Sequence, residues 1–309
     1  MPYNIPKMIL SEKNSVKETE TVSLNLSNGF SGRAVTCVSG RNFSKADWSE
    51  CLSQPLLLFE NVEKILKKEG RNCVAIKKLT IAGEQLKVLL KRHYPKASLR
   101  WFFRSLRPGK ALRNFKITAE LLRLGLPTAA AFAALQQKRG LLTKQSVYIT
   151  QYFDDSLDLY NFASHLEDLS SAKTAADKLA IRKTLSEQIA VILASLHKNG
   201  LWHRDSKATN FVVHKNAQNQ YKVILVDVDG IKRYCLRRRC FQFRSLWQLA
   251  ASLLGNCTVN RTDYLRTFRT YCNLLGIETS ERRRIFRELV LLAAAKRRRS
   301  VLKAAAFKK

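Results

Sequence analysis

The sequence predicts a mixed α+β chain in two parts, strand-rich to about residue 152 and mainly helical beyond it. Two apolar runs, 72–81 and 85–93, flank Ala82, Gly83 and Glu84 and read as a hairpin. Segments at 179–197, 242–254, 261–274 and 280–295 read as helices. A second, shorter hairpin at 211–213 and 221–226 follows a polar stretch dense in charge.

In chain order, residues 1–50 are rich in Ser, Asn, Thr, Lys and Glu, and Gly29, Gly32 and Gly40 interrupt any long periodic element. A loose N-terminal extension is expected there, with short strands near 34–38. The first hairpin carries two notable lysines: Val74, Ala75, Ile76 and Lys77 spell V-A-I-K, and Lys91 closes Val88, Leu89 and Leu90 on the second strand. Residues 101–104 and 111–124 read as helical. In the latter, Leu112, Phe115, Ala119 and Leu122 recur at helical spacing, Gly125 is the stop and Glu120 is the sole acid. A strand at 147–152 precedes Asp154, Asp155 and Asp158, for which helix capping is the expected role. The helix at 179–197 places Ile181, Leu185, Ile189, Ile192, Leu193 and Leu196 on one face and ends at Asn199 and Gly200. No internal repeat is visible.

Directly after that helix stand His203, Arg204, Asp205, Lys207 and Asn210, in the order H-R-D-x-K-x-x-N. This is the catalytic-loop pattern of kinases, in which the Asp orients and deprotonates the attacking hydroxyl and the Asn holds a metal ion. Asp227 ends the apolar run 223–226, where a kinase presents its metal-binding Asp. A capped surface turn would explain neither Lys207 nor the second acidic turn. The pattern predicts a bilobal protein-kinase-like fold: a small β-rich N-lobe at 51–152 and a mainly helical C-lobe at 153–309 that ends in a basic tail. It also predicts ATP and Mg²⁺, with Asp205 and Lys207 catalytic and Asn210 and Asp227 on the metal. Lys91 is favoured over Lys77 for the nucleotide phosphates, because its strand leads into a helix whereas Lys77 is followed by another strand. Glu120 is the candidate partner of that lysine, with a solvated helix-face residue as the alternative reading, and His203 and Arg204 brace the loop. There is no G-x-G-x-x-G upstream, and no A-P-E after Gly230, which argues against a protein substrate.

Among the 309 residues, 55 are Lys or Arg and 24 are Asp or Glu, a net charge of +31. Basic residues cluster at 91–93, 104–113, 233–239, 282–284 and 296–299. Such clusters attract a polyanion, either an anionic membrane surface or nucleic acid. No apolar run approaches the length of a membrane span, and no basic-then-apolar leader opens the chain, so export is not expected. Seven cysteines form no C-x-x-C pair, which argues against zinc and suits a reducing cytosol.

From about Val62 to Leu254 the chain resembles the lipopolysaccharide kinases, the Kdo and core-heptose kinases of Gram-negative bacteria. The resemblance rests on Ile65 to Lys67, Lys91 to Tyr94, Gly125 to Thr128, Tyr148 to Tyr152, His197 with Gly200, the loop from His203 to Asn210, and Val226 to Gly230. It implies ATP-dependent phosphorylation of a Kdo or heptose hydroxyl of lipid A–core, an anionic glycolipid, by a cytoplasmic enzyme peripheral to the inner face of the inner membrane. It also supports Lys91 over Lys77. Val228 and the basic C-terminal tail depart from the family's pattern. The rival readings are another kinase of the same superfamily and a non-catalytic pseudokinase or nucleic-acid scaffold.

Overall fold

The computed structural model describes residues 20–95, 107–168, 174–234, 238–256 and 258–306. The chain divides into two compact units, Met1–Tyr152 and Phe153–Lys309.

The first unit comprises β1 (Thr21–Asn25), β2 (Phe30–Val35), β3 (Cys37–Val38), β4 (Arg41–Asn42), α1 (Lys45–Cys51), β5 (Lys64–Glu69), β6 (Asn72–Ile81), β7 (Glu84–His93), α2 (Lys110–Arg123), β8 (Ala131–Arg139) and β9 (Leu142–Gln151). Seven of these strands form one antiparallel sheet in the order β1-β2-β8-β9-β7-β6-β5. The loose extension expected to residue 50 is corrected from residue 21 onward, because β1 and β2 extend this sheet. Their polar residues take the outward positions, while Leu24, Phe30, Ala34 and Val35 are buried. Gly32 is required where β2 meets β8: a Cβ there would lie 2.3 Å from the carbonyl oxygen of Ala134. Trp48, fully buried on α1, donates its indole N–H to the Val35 carbonyl at 2.8 Å. A capping box between Ser44 and Asp47 starts that helix.

The hairpin of β6 and β7 turns on Ala82 and Gly83, both with positive φ (48° and 80°), the backbone a two-residue turn demands. Lys77 is paired opposite Val88, three residues from Lys91, so the two lysines project from opposite faces of the sheet. Lys91 is paired opposite Tyr148, whose hydroxyl lies 2.6 Å from Thr118 Oγ1 on α2. Lys91 therefore shares the helix-covered face. The helix α2 matches its expected span, and its buried stripe is Ala111, Asn114, Phe115, Thr118 and Leu121. The Ala-rich run of β8, which has no strand-like alternation, is a fully paired inner strand. The helix expected at 101–104 lies outside the described residues.

The second unit comprises β10 (Leu157–Asp158), α3 (Leu159–Ser164), α4 (Ala175–Lys198), β11 (Leu201–His203), β12 (Phe211–Lys215), β13 (Tyr221–Leu225), β14 (Ile231–Arg233), α5 (Arg238–Leu253), α6 (Arg261–Leu275) and α7 (Thr279–Ala306). Asp158 caps α3, accepting from the amides of Tyr160 and Asn161. α4 begins earlier than its apolar pattern suggests, because Thr174 and Asp177 form a capping box. It buries Leu185, Ile189, Ile192, Leu193 and Leu196, each of which contributes about 1.5–3 kcal/mol relative to exposure. α4 is tied to α6 at both ends: Arg182 pairs with Asp263 at 3.0 Å, and His197 Nδ1 lies 2.7 Å from the Tyr271 hydroxyl. α7 runs eleven residues past its expected end at 295 and packs Phe286 on Phe268 at a ring distance of 5.3 Å. Helices of this unit line an apolar cavity of about 750 Å³, with Leu185, Ile189, Leu249, Phe268 and Leu289 among its walls. Among the described residues, no helix is long and apolar enough to cross a membrane.

Candidate active site

The loop from His203 to Asn210 hangs between two antiparallel pairings, β11 with β14 and β12 with β13. Its shape follows from where its backbone groups find partners. The amide of Arg204 donates to the Gly230 carbonyl at 2.8 Å, and the amide of Val226 to the Asn210 carbonyl at 3.0 Å. These bonds draw the two acidic turns together.

His203 is fully buried at the centre of this arrangement. Its Nε2 lies 2.7 Å from the Asp227 carbonyl oxygen, and its Nδ1 accepts from the Asp205 amide at 3.2 Å. One donor and one acceptor require the neutral imidazole protonated on Nε2. Burial, the largest influence, pushes the imidazole pKa below its ordinary value and so favours the same species, against the opposing pull of Asp227, Asp205 and Asp229. Gly230 packs directly on this ring, and a Cβ there would lie 2.5 Å from His203 Cε1.

Asp205 follows with its carboxylate about half exposed. Lys207 Nζ lies 2.8 Å from Asp205 Oδ2 and is exposed to a similar degree. Asn210 donates through Nδ2 to the Asp205 carbonyl at 2.7 Å. That commits the amide nitrogen to the loop and makes Oδ1 the atom able to meet a metal. Asp227 is half-buried, two residues past the end of β13. The fold thus gathers Asp205, Lys207, Asn210 and Asp227 on one loop system. Asn210 and Asp227 supply the hard oxygen donors that suit Mg²⁺. Among the described residues, no group of three His, Cys, Asp or Glu side chains could hold a metal by itself.

Lys91 and Glu120 belong to the first unit. Lys91 lies on the sheet face covered by α2. Glu120 is two positions from Thr118, hence turned about 200° from the stripe that meets the sheet, and it is absent from that stripe. Lys77 donates Nζ to the Glu60 carbonyl at 2.8 Å, and partial burial lowers its pKa. The hairpin of β5 and β6 closes through Gly70 and Arg71 alone.

The sequence reading missed the support beneath the loop. On α5, Ser245 donates to the His203 carbonyl at 3.3 Å, Gln248 Oε1 accepts from the Ser206 amide at 3.3 Å, and Ser252 Oγ accepts from the Ala208 amide at 2.8 Å. Steps of three and four residues align these side chains on one face. Their spacing was legible, but polar residues on a helix ordinarily signify a solvated side.

Residues 68–271 match the lipopolysaccharide kinase (Kdo/WaaP) family. The chain belongs to that family. This lipopolysaccharide kinase is accordingly a phosphotransferase that acts on a core sugar. No curated protein matches the chain. Among solved structures, WaaP in complex with acyl carrier protein is similar at 18% identity, over 78% of this chain and 92% of that one, with a TM-score of 0.53. A Toxoplasma gondii rhoptry antigen kinase domain is 14% identical over 74% and 82%, with a TM-score of 0.43. The Mycobacterium tuberculosis PknI kinase domain is 15% identical over 75% and 94%, with a TM-score of 0.41. The likeness to WaaP concerns the fold alone: a β-rich first part and a helical second part, as the motif order predicted. α7 of this lipopolysaccharide kinase lies beyond the residues the family match covers.

Proposed function

We propose that this lipopolysaccharide kinase transfers the γ-phosphoryl group of ATP directly to a Kdo or heptose hydroxyl of lipid A–core, with Asp205 as the residue that receives the acceptor. The observation that carries this reading is the half-exposed Asp205 carboxylate on a backbone pinned by His203 and Asn210. Asp205 orients the sugar hydroxyl and accepts its proton as the new O–P bond forms. The bond from the γ-phosphorus to the bridging oxygen breaks, and ADP leaves. Lys207, beside that carboxylate, offsets negative charge on the transferring group. Asn210 and Asp227 would hold Mg²⁺, which neutralises phosphate charge when bound. Lys91 is assigned the α/β-phosphates, on its place in β7 and the family resemblance. Positioning and electrostatics then supply most of the rate, as is general for phosphoryl transfer. The net charge of +31 suits an anionic glycolipid met at the inner face of the inner membrane.

The test is mass spectrometry of lipopolysaccharide incubated with Mg-ATP and either wild type or Asp205→Asn. A phosphate-sized mass gain with wild type only is expected, and fragmentation assigns the sugar. An unchanged glycolipid, with an established kinase active in parallel, overturns the assignment of acceptor.

A further inference from the structure

We infer that α7 is a membrane-surface helix that seats the enzyme on anionic phospholipid. Its buried side is Ile285, Leu289 and Ala293, one residue per turn toward the body of the unit. Its other side carries Arg284, Arg287, Leu291, Arg298 and Leu302, all exposed. These positions are separated by 3, 4, 7 and 4 residues and so align along one side of an α-helix. Leu291 is 71% and Leu302 69% exposed, with Val290 and Val301 half exposed beside them. Val290 and Leu291 also border the apolar cavity, so the greasy strip continues into an opening on the same surface.

The charge on this helix identifies the occupant. Its 28 residues include nine Arg or Lys against Glu281 and Glu288. Exposed leucines interleaved with arginines are the pattern of a helix lying in the plane of an anionic bilayer, where leucines enter the acyl boundary and guanidinium groups meet phosphates. Nucleic acid would reward the arginines but not two large exposed leucines, since its affinity comes chiefly from phosphate contacts. From Arg298 to Ala306 every helical residue is exposed, so the outer third of α7 is available to a partner. The proposal rests on the reading that the substrate is a glycolipid held in a membrane.

The test is co-sedimentation of the full-length protein with vesicles of phosphatidylcholine alone or of an equal mixture with phosphatidylglycerol, run beside phosphorylation of lipid-free core oligosaccharide. Wild type should pellet with the mixed vesicles only. Arg298→Glu with Arg299→Glu, and separately Leu291→Ser with Leu302→Ser, should each weaken that partition at least about tenfold and leave phosphorylation of the oligosaccharide unchanged. Both double variants pelleting like wild type overturns the proposal, even with kinase activity intact. Binding to duplex DNA that needs the arginines but ignores the leucines, without vesicle binding, overturns it in favour of a nucleic-acid partner. Vesicle binding that depends on α7, in a protein that phosphorylates no core sugar, supports the helix's role and overturns the assignment of acceptor instead.

Discussion

At the scale of single residues, the site is decided by two positions with no acid–base role of their own. His203 is pinned on both ring nitrogens, so its ring cannot retreat. Gly230 lies against that ring, where any side chain meets a fixed obstacle. Gly230→Ala should therefore cost about 1–3 kcal/mol, the usual penalty for overpacking a closed interior. Urea denaturation reads that cost. Kinase activity should fall with it, because the ring that yields is the one holding the Asp205 amide and the Asp227 carbonyl. A variant with wild-type stability and activity would show that the ring moves freely. Neither constraint is visible in the H-R-D-x-K-x-x-N string, which names the residues without saying what they press against.

At the scale of elements, one helix holds one loop. Ser245, Gln248 and Ser252 meet three successive parts of the catalytic loop's backbone. A buried amide left without its acceptor costs about 1–3 kcal/mol. Ser252→Ala removes the acceptor for the Ala208 amide, and chemical denaturation should register a loss in that range. Turnover should drop more than the KM for ATP changes, since the loop carries Asp205 and Asn210. An unaffected kcat would mean that the loop holds its shape without α5. The spacing of these residues was available from the sequence. Their inward direction was not, because a helix's polar stripe faces whatever the tertiary fold presents to it.

At the scale of the whole molecule, the seven-stranded sheet separates two lysines that the sequence leaves in competition. Lys77 has the better letters, but it lies on the face away from Lys91 and spends its amine on the Glu60 carbonyl. Lys91 shares its face with Tyr148 and α2. Lys91→Ala should lower ATP-dependent phosphorylation by at least about 100-fold and leave the melting temperature nearly unchanged. Lys77→Ala should leave turnover within a few-fold and cost about 1 kcal/mol of stability through the lost hydrogen bond. The reverse result, read by product formation and thermal melting, would return the phosphate role to Lys77.

The sequence by itself determined the loop, the two hairpins, the α+β division and the family, because each is written in contiguous residues: a motif of eight positions, period-two runs around turn residues, and helical spacing. It misjudged what depends on distant partners. Residues 21–33 look too polar for structure, yet they form strands: β2 pairs with the free edge of β8 where Gly32 permits the approach, and β1 pairs with β2. Local order follows from local chemistry, whereas which side of an element becomes its inside is fixed only when other elements arrive to cover it.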